Sequence, residues 1–126
     1  MFTRLLFILC FSLITLVMFT SCEYEIIEFD KPDPTVEIKF SSDIIPIFNK
    51  NCNTASCHTV GHSIVDLSPA NAYKDLIAKN MIDKNNPAES RLYKVLVKTG
   101  GSHSTRSTPE EQQKILLWIE KGAIDN

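Results

Sequence analysis

Cys52-Asn53-Thr54-Ala55-Ser56-Cys57-His58 is the stretch on which the rest of this chain turns. Two thiols on one short loop, with a histidine directly after the second, are what covalent attachment of a c-type haem requires. The cysteines add to the two vinyl groups as thioethers, and the tether brings the histidine to the iron as proximal ligand. Cys52 and Cys57 are therefore candidate haem-attachment residues, and His58 is the candidate proximal ligand. The common spacing leaves two residues between the cysteines; here there are four, a longer loop also found among multihaem cytochromes. Two other chemistries use the same residues. A Cys52–Cys57 disulfide would close a small loop and add about 2–3 kcal/mol. Zinc can be offered Cys52, Cys57, His58 and His62, although adjacent ligands at 57 and 58 strain a tetrahedral site.

Cysteine usage elsewhere bears on this choice. Arg4 is the only charge ahead of the apolar run from Leu5 to Phe19, which reads as the core of an export signal. The run ends at Phe19-Thr20-Ser21-Cys22, which resembles a bacterial lipobox. Residues 1–21 are then a leader cleaved before Cys22, whose thiol is lipidated; a plain signal peptide or an anchor helix is the alternative. Cys10 leaves with the leader and Cys22 carries lipid, so Cys52 and Cys57 are the thiols that remain. Losing Arg4 makes the mature chain one unit more negative than the −2 of the whole sequence. That mild charge gives no sign of nucleic-acid binding and predicts no strong steering towards a partner.

Residues 22–39 form an acidic tether, with Glu23, Glu25, Glu28, Asp30 and Asp33 around Pro32 and Pro34. Residues 40–126 form the domain, and their periodicity predicts about four helices. The first starts at Ser42 or Asp43 and runs to about Lys50, with Ile44, Ile45, Ile47 and Phe48 apolar and Pro46 in its first turn. A second opens at Ser68-Pro69 and runs to about Lys79, with Tyr73, Leu76 and Ile77 on one face. A third opens at Asn86-Pro87 and runs to about Val97, with Leu92, Val95 and Leu96 inward. The last spans Pro109 to Lys121, buries Ile115, Leu116, Trp118 and Ile119, and stops at Gly122. Glu89 follows Asn86, and Glu111 follows Thr108, at capping-box spacing. The fold class is all-α. A core this small is marginal unaided, and a haem's apolar faces would complete it.

Phe40-Ser41-Ser42-Asp43-Ile44-Ile45-Pro46-Ile47-Phe48 ahead of Cys52, then Cys57-His58, Asp66-Leu67-Ser68-Pro69, Asn86-Pro87 with Ser90, Leu92 and Tyr93, and finally Trp118-Ile119 with Gly122-Ala123 follow one another in a familiar order. In that order they resemble the small bacterial domains called cytochrome c, planctomycete-type, within the wider class I cytochrome c fold. The likeness runs from about residue 36 to residue 126. It implies a class I cytochrome c-like domain around one covalently attached, low-spin haem c, serving as an electron carrier and not as an enzyme. It also implies that the first and last helices cross near the haem edge with Trp118 at or close to that contact. A carbonyl near Pro69, of Pro69 or Ser68, would accept the His58 Nδ1–H.

The sixth ligand is where this chain departs from that family. The family often carries Met-Pro in the loop before the last helix, and the loop here, Thr99 to Ser107, has no methionine. His103 takes that place and is the candidate distal ligand; Met81 is its rival, and His62 lies too close to His58 to reach the opposite haem face. Arg106 is a candidate propionate contact, whereas Lys50, Lys74, Lys94 and Lys98 read as solvated. The expected whole is a monomeric domain, lipid-anchored in the cell envelope on the periplasmic or surface face of the outer membrane, passing single electrons to a redox partner protein. The alternatives are a haem sensor or enzyme with an open sixth position, and a haem-free lipoprotein module stapled by a disulfide.

Overall fold

The computed structural model describes Arg4, Asp33, residues 35–55 and residues 57–126. The expected leader, Cys22 and most of the acidic tether lie outside the described residues. Among the described residues the chain is helical with no strand, as its patterning predicts: α1, Ile45–Asn51; α2, Ala72–Ala78; α3, Arg91–Val97; and α4, Pro109–Glu120. None of these helices is long and apolar enough to cross a membrane.

The first helix begins earlier than its sequence suggests. A π-turn over Phe40–Ile44 runs straight into α1, with the Ile45 N–H bonded to the Phe40 carbonyl. Pro46 explains the wide turn: it has no N–H for the Ser42 carbonyl, and its ring would press on that carbonyl in a regular helix. Asp43 is therefore not the cap; its Oδ2 accepts the Lys39 N–H at 2.8 Å from inside the turn. The helix ends at Cys52, whose N–H reaches the Phe48 carbonyl at 2.8 Å.

Proline at 69 does not open α2 directly. The Ser68 carbonyl first takes the N–H groups of Asn71 and Ala72, and the helix follows that turn. Ala72 and Leu76 are buried and Tyr73 is half-buried, but Ile77 is 40 % exposed, so the inward face is turned by one position from the expected one. Asn80, at φ 51°, stops the helix. The Asn80 and Met81 N–H groups bond back to the Ile77 and Leu76 carbonyls, a Schellman closure that carries Met81 into the core.

The third expected helix is interrupted. A 3-10 turn over Pro87–Glu89 and α3 are separated by Ser90, whose ψ is 130°. Buried Ser90 is held there because its hydroxyl accepts the Asp83 N–H and donates to the Asp83 carbonyl. The expected Asn86–Glu89 capping box is absent: Asp83 Oδ1 takes the Asn85 and Asn86 N–H groups, and Glu89 pairs with Lys94 at 2.8 Å. The same box at the start of α4 does form, with the Glu111 N–H on Thr108 Oγ1 at 3.2 Å and the Thr108 N–H on Glu111 Oε2 at 2.9 Å. Gly122, at φ 94°, closes α4 with a second Schellman pair.

The core joins the two ends of this sequence of helices. Phe40 packs on Trp118 with ring centres 5.0 Å apart, on Tyr73 at 5.5 Å and on Phe48 at 6.2 Å. Trp118 is buried and donates Nε1–H to the Ile124 carbonyl at 2.9 Å. In α4, Leu117 is buried where Leu116 was expected; Leu116 is only half-buried.

Candidate functional site

The Cys52–His58 loop leaves the C-terminus of α1 and turns back on itself, which fixes His58 from three directions. Its N–H donates to the Cys52 carbonyl at 3.0 Å, its carbonyl accepts the Leu67 N–H at 2.9 Å, and its Nδ1 lies 3.0 Å from the Val65 carbonyl. A carbonyl can only accept, so Nδ1 carries the proton and Nε2 keeps its lone pair free for a metal. Burial pushes the His58 pKa down, and His62 and His103 push it further, against the Val65 bond; the ring is held in its neutral, ligating form. The orienting carbonyl is thus Val65, not Pro69 or Ser68. The Ser68 carbonyl is already occupied by the two N–H groups that open α2.

Asp66 sets the path of this loop. Its Oδ1 accepts the Ser68 N–H and hydroxyl, and its Oδ2 accepts the Gly61 N–H at 2.8 Å and Asn71 Nδ2 at 2.9 Å. Asp75 takes the Asp66 N–H at 2.7 Å, and Lys79 ties Asp75 to the Ser63 carbonyl. These donors, the Ser68 hydroxyl first, hold the Asp66 carboxyl well below the usual carboxylate range. A depressed carboxylate contributes stability that is present above its unfolded pKa of about 3.9 and is lost as pH falls through the folded one. Asp66→Asn should therefore lower the thermal midpoint at pH 7 by on the order of 10 °C and flatten the loss of stability below about pH 4. Thermal unfolding against pH measures both; an acid limb as steep in the variant as in the parent would exclude this role.

An apolar cavity of about 180 Å³ opens beside this loop. Cys52, His58, Val65, Leu67, Met81, Leu92, Leu96 and His103 line it, with Ile64, Val95 and Arg91. His58 and His103 both line it, with ring centres 6.1 Å apart and planes tilted by 30°. His62 lies against His58 instead, edge-on at 4.6 Å. His103 sits on a turn whose start is freed by Gly100, at φ 72°, and whose end is tied by the Arg106 N–H to the His103 carbonyl. Its Nδ1 is 3.0 Å from the Ser102 hydroxyl. Met81 is buried in the cavity wall, so both candidates for the sixth position reach the same space. Arg106 is exposed on the His103 turn, within electrostatic reach of Cys52. Trp118, by contrast, does not line the cavity, and its contacts are those of the core.

Cys52 and Cys57 are both free thiols, Cys52 buried and Cys57 half-buried. Burial, with Cys57 and Glu111 adding to it, pushes the Cys52 pKa up to about 11. Cys52 in haem-free protein should accordingly react with iodoacetamide at pH 8 roughly a hundredfold more slowly than free cysteine, and speed up until pH passes about 11. Mass spectrometry of the alkylated peptides reads this; a rate levelling off near pH 8.5 would show an unshifted thiol.

Two imidazoles, a thiol and an apolar lining are the kinds of group that a haem would use. Two imidazoles could both reach one metal, at bonds of about 2 Å, if each turned a nitrogen towards it, and ring centres about 6 Å apart would allow this. The observed spacing is 6.1 Å. The cavity is smaller than a porphyrin, and a macrocycle could be held there only if its exposed rim, Ile64 and Arg91, gave way. Among the described residues no group of three or more His, Cys, Asp or Glu side chains is gathered as a metal ligand set. Of the lining residues, sequence periodicity foresaw Leu92, Val95 and Leu96. It passed over Arg91, although its place four residues before Val95 puts it on the same helical face. No model of a known protein family matches the chain, and no curated protein or solved structure matches it.

Proposed function

We propose that this protein is a membrane-anchored monohaem c-type cytochrome that exchanges single electrons with a partner protein in the cell envelope. The observation that carries the reading is the pair His58 and His103, 6.1 Å apart in the lining of an apolar cavity whose wall includes Cys52. Haem c, held by thioethers at Cys52 and Cys57, supplies the one-electron couple. This chain's residues do the rest. His58 presents Nε2 because Val65 holds its Nδ1–H. His103 would supply the second imidazole, Met81 and the aliphatic residues would exclude water, and Arg106 and Arg91 would offer cations to the propionates. An imidazole in the sixth position gives a lower potential than methionine would. The lipid anchor at Cys22 and the outer-membrane location belong to the same proposal.

The test is a visible spectrum, oxidised and dithionite-reduced, of protein made in a host that attaches c-type haem, with a denaturing gel stained for covalent haem. Haem that survives the gel, with sharp reduced α and β bands, is expected. Colourless, folded protein from a competent host would refute the cytochrome reading in favour of a haem-free module. A high-spin ferric spectrum would refute the closed sixth position in favour of a sensor or enzyme.

A further inference from the structure

The bond that orients His58 does not end at the Val65 carbonyl. That carbonyl and the Asp66 N–H are the two sides of one trans peptide unit, so they point in opposite directions. On one side His58 Nδ1–H donates to the Val65 oxygen at 3.0 Å; on the other the Asp66 N–H donates to Asp75 Oδ2 at 2.7 Å. Imidazole, peptide and carboxylate are thus joined in one hydrogen-bonded chain that runs from the attachment loop to α2. The Asp66 N–H, and Lys79 after it, hold the Asp75 carboxyl below the ordinary carboxylate range, so it is anionic at neutral pH. The 2.7 Å contact is short, as bonds to a charged acceptor are. Asp75 is 25 % exposed, and Lys79 Nζ shares the same oxygen at 3.0 Å, which offsets part of its charge.

A peptide unit is conjugated from nitrogen to oxygen, so an anion on its N–H pushes electron density onto its carbonyl. The Val65 oxygen then draws harder on the His58 proton, and the free Nε2 becomes the stronger donor. Histidine paired directly with a carboxylate gains basicity in the same way. We propose that Asp75 is a positioning residue for His58, acting through the Val65–Asp66 peptide to fix the ring and raise the donor strength of Nε2. The proposal rests on the electron-transfer reading above and names a group that lowers the potential of that site.

Asp75→Asn keeps an oxygen that can accept the Asp66 N–H and removes the charge. In reduced, detergent-solubilised full-length holoprotein, the proton NMR resonance of His58 Nδ1–H should move upfield in this variant. A redox titration should show the preference for ferric over ferrous iron falling about tenfold, the low end of what outer-shell partners contribute; that raises the potential by about 59 mV. Lys79→Met strips the offsetting cation, leaves Asp75 in place, and should move both readouts the other way. Asp75→Asn protein that matches the parent in both would overturn the proposal and reduce the Asp75 bond to a tie between the loop and α2. A raised potential with an unmoved Nδ1–H would overturn it as well, since a charge acting through space needs no peptide. Where Asp75→Asn does not fold, Lys79→Met decides alone, and an unmoved Nδ1–H in that variant overturns the proposal. Folded protein purified without haem would overturn the electron-transfer reading; the same proton, compared in the haem-free parent and Asp75→Asn, would still decide the part played by Asp75.

Discussion

His103→Ala is expected to turn the ferric holoprotein from low-spin to high-spin, with loss of the sharp low-spin bands and the appearance of a charge-transfer band. The cause is geometric: His103 lines the same cavity as His58, 6.1 Å between ring centres, while His62 packs edge-on against His58 at 4.6 Å and does not line the cavity. With the sixth position vacated, cyanide and carbon monoxide no longer compete with an internal ligand. If that ligand holds the site closed in all but about 1 % of molecules, apparent affinity for the external ligand rises on the order of 100-fold. Met81→Leu is the matched control, because Met81 lines the same cavity and the swap preserves core volume at a cost below about 1.5 kcal/mol. It should leave the spectrum low-spin. The reverse pattern, with Met81→Leu opening the site and His103→Ala leaving it closed, would transfer the sixth position to Met81.

The second large effect concerns the clasp between the ends of the helical array. Trp118→Ala removes the largest fully buried side chain, its contact with Phe40 and its bond to the Ile124 carbonyl. Aromatic truncations of this kind cost about 3–5 kcal/mol. Small domains have a total stability of only about 5–15 kcal/mol. Urea unfolding of the holoprotein should show a midpoint lowered by roughly a third to a half. Trp118→Phe keeps most of the ring and loses the hydrogen bond, so it should fall about 1–2 kcal/mol below the parent. Equal stability of Trp118→Phe and Trp118→Ala would show that the ring contributes little.

What could be read in the chain beforehand was what short-range chemistry decides. Thr108 with Glu111 and the stop at Gly122 are local devices, and the structure contains both. The Cys52–His58 loop is likewise local, and α1 delivers the chain into it as expected. The errors fall where a distant group takes over. Ser90 breaks an otherwise continuous helical pattern because Asp83, seven residues back, occupies its hydroxyl. Val65 rather than Pro69 holds His58 because Asp66 folds the intervening loop onto Gly61, Ser68 and Asn71. No periodicity encodes that fold.

If the chain is exported as proposed, the Phe40–Trp118 contact also bears on the order of events. Export threads a polypeptide amino end first, so residues 52–58 emerge well before residue 118. The clasp cannot close until the last helix has followed, and contacts so far apart in the chain form late. On the proposed function, the two thiols would in that interval stand on an open chain, reachable by a haem-ligating enzyme that the finished fold, with Cys52 buried, would shut out. On the proposed function, the late arrival of Trp118 would leave the attachment loop open while a prosthetic group is joined to it.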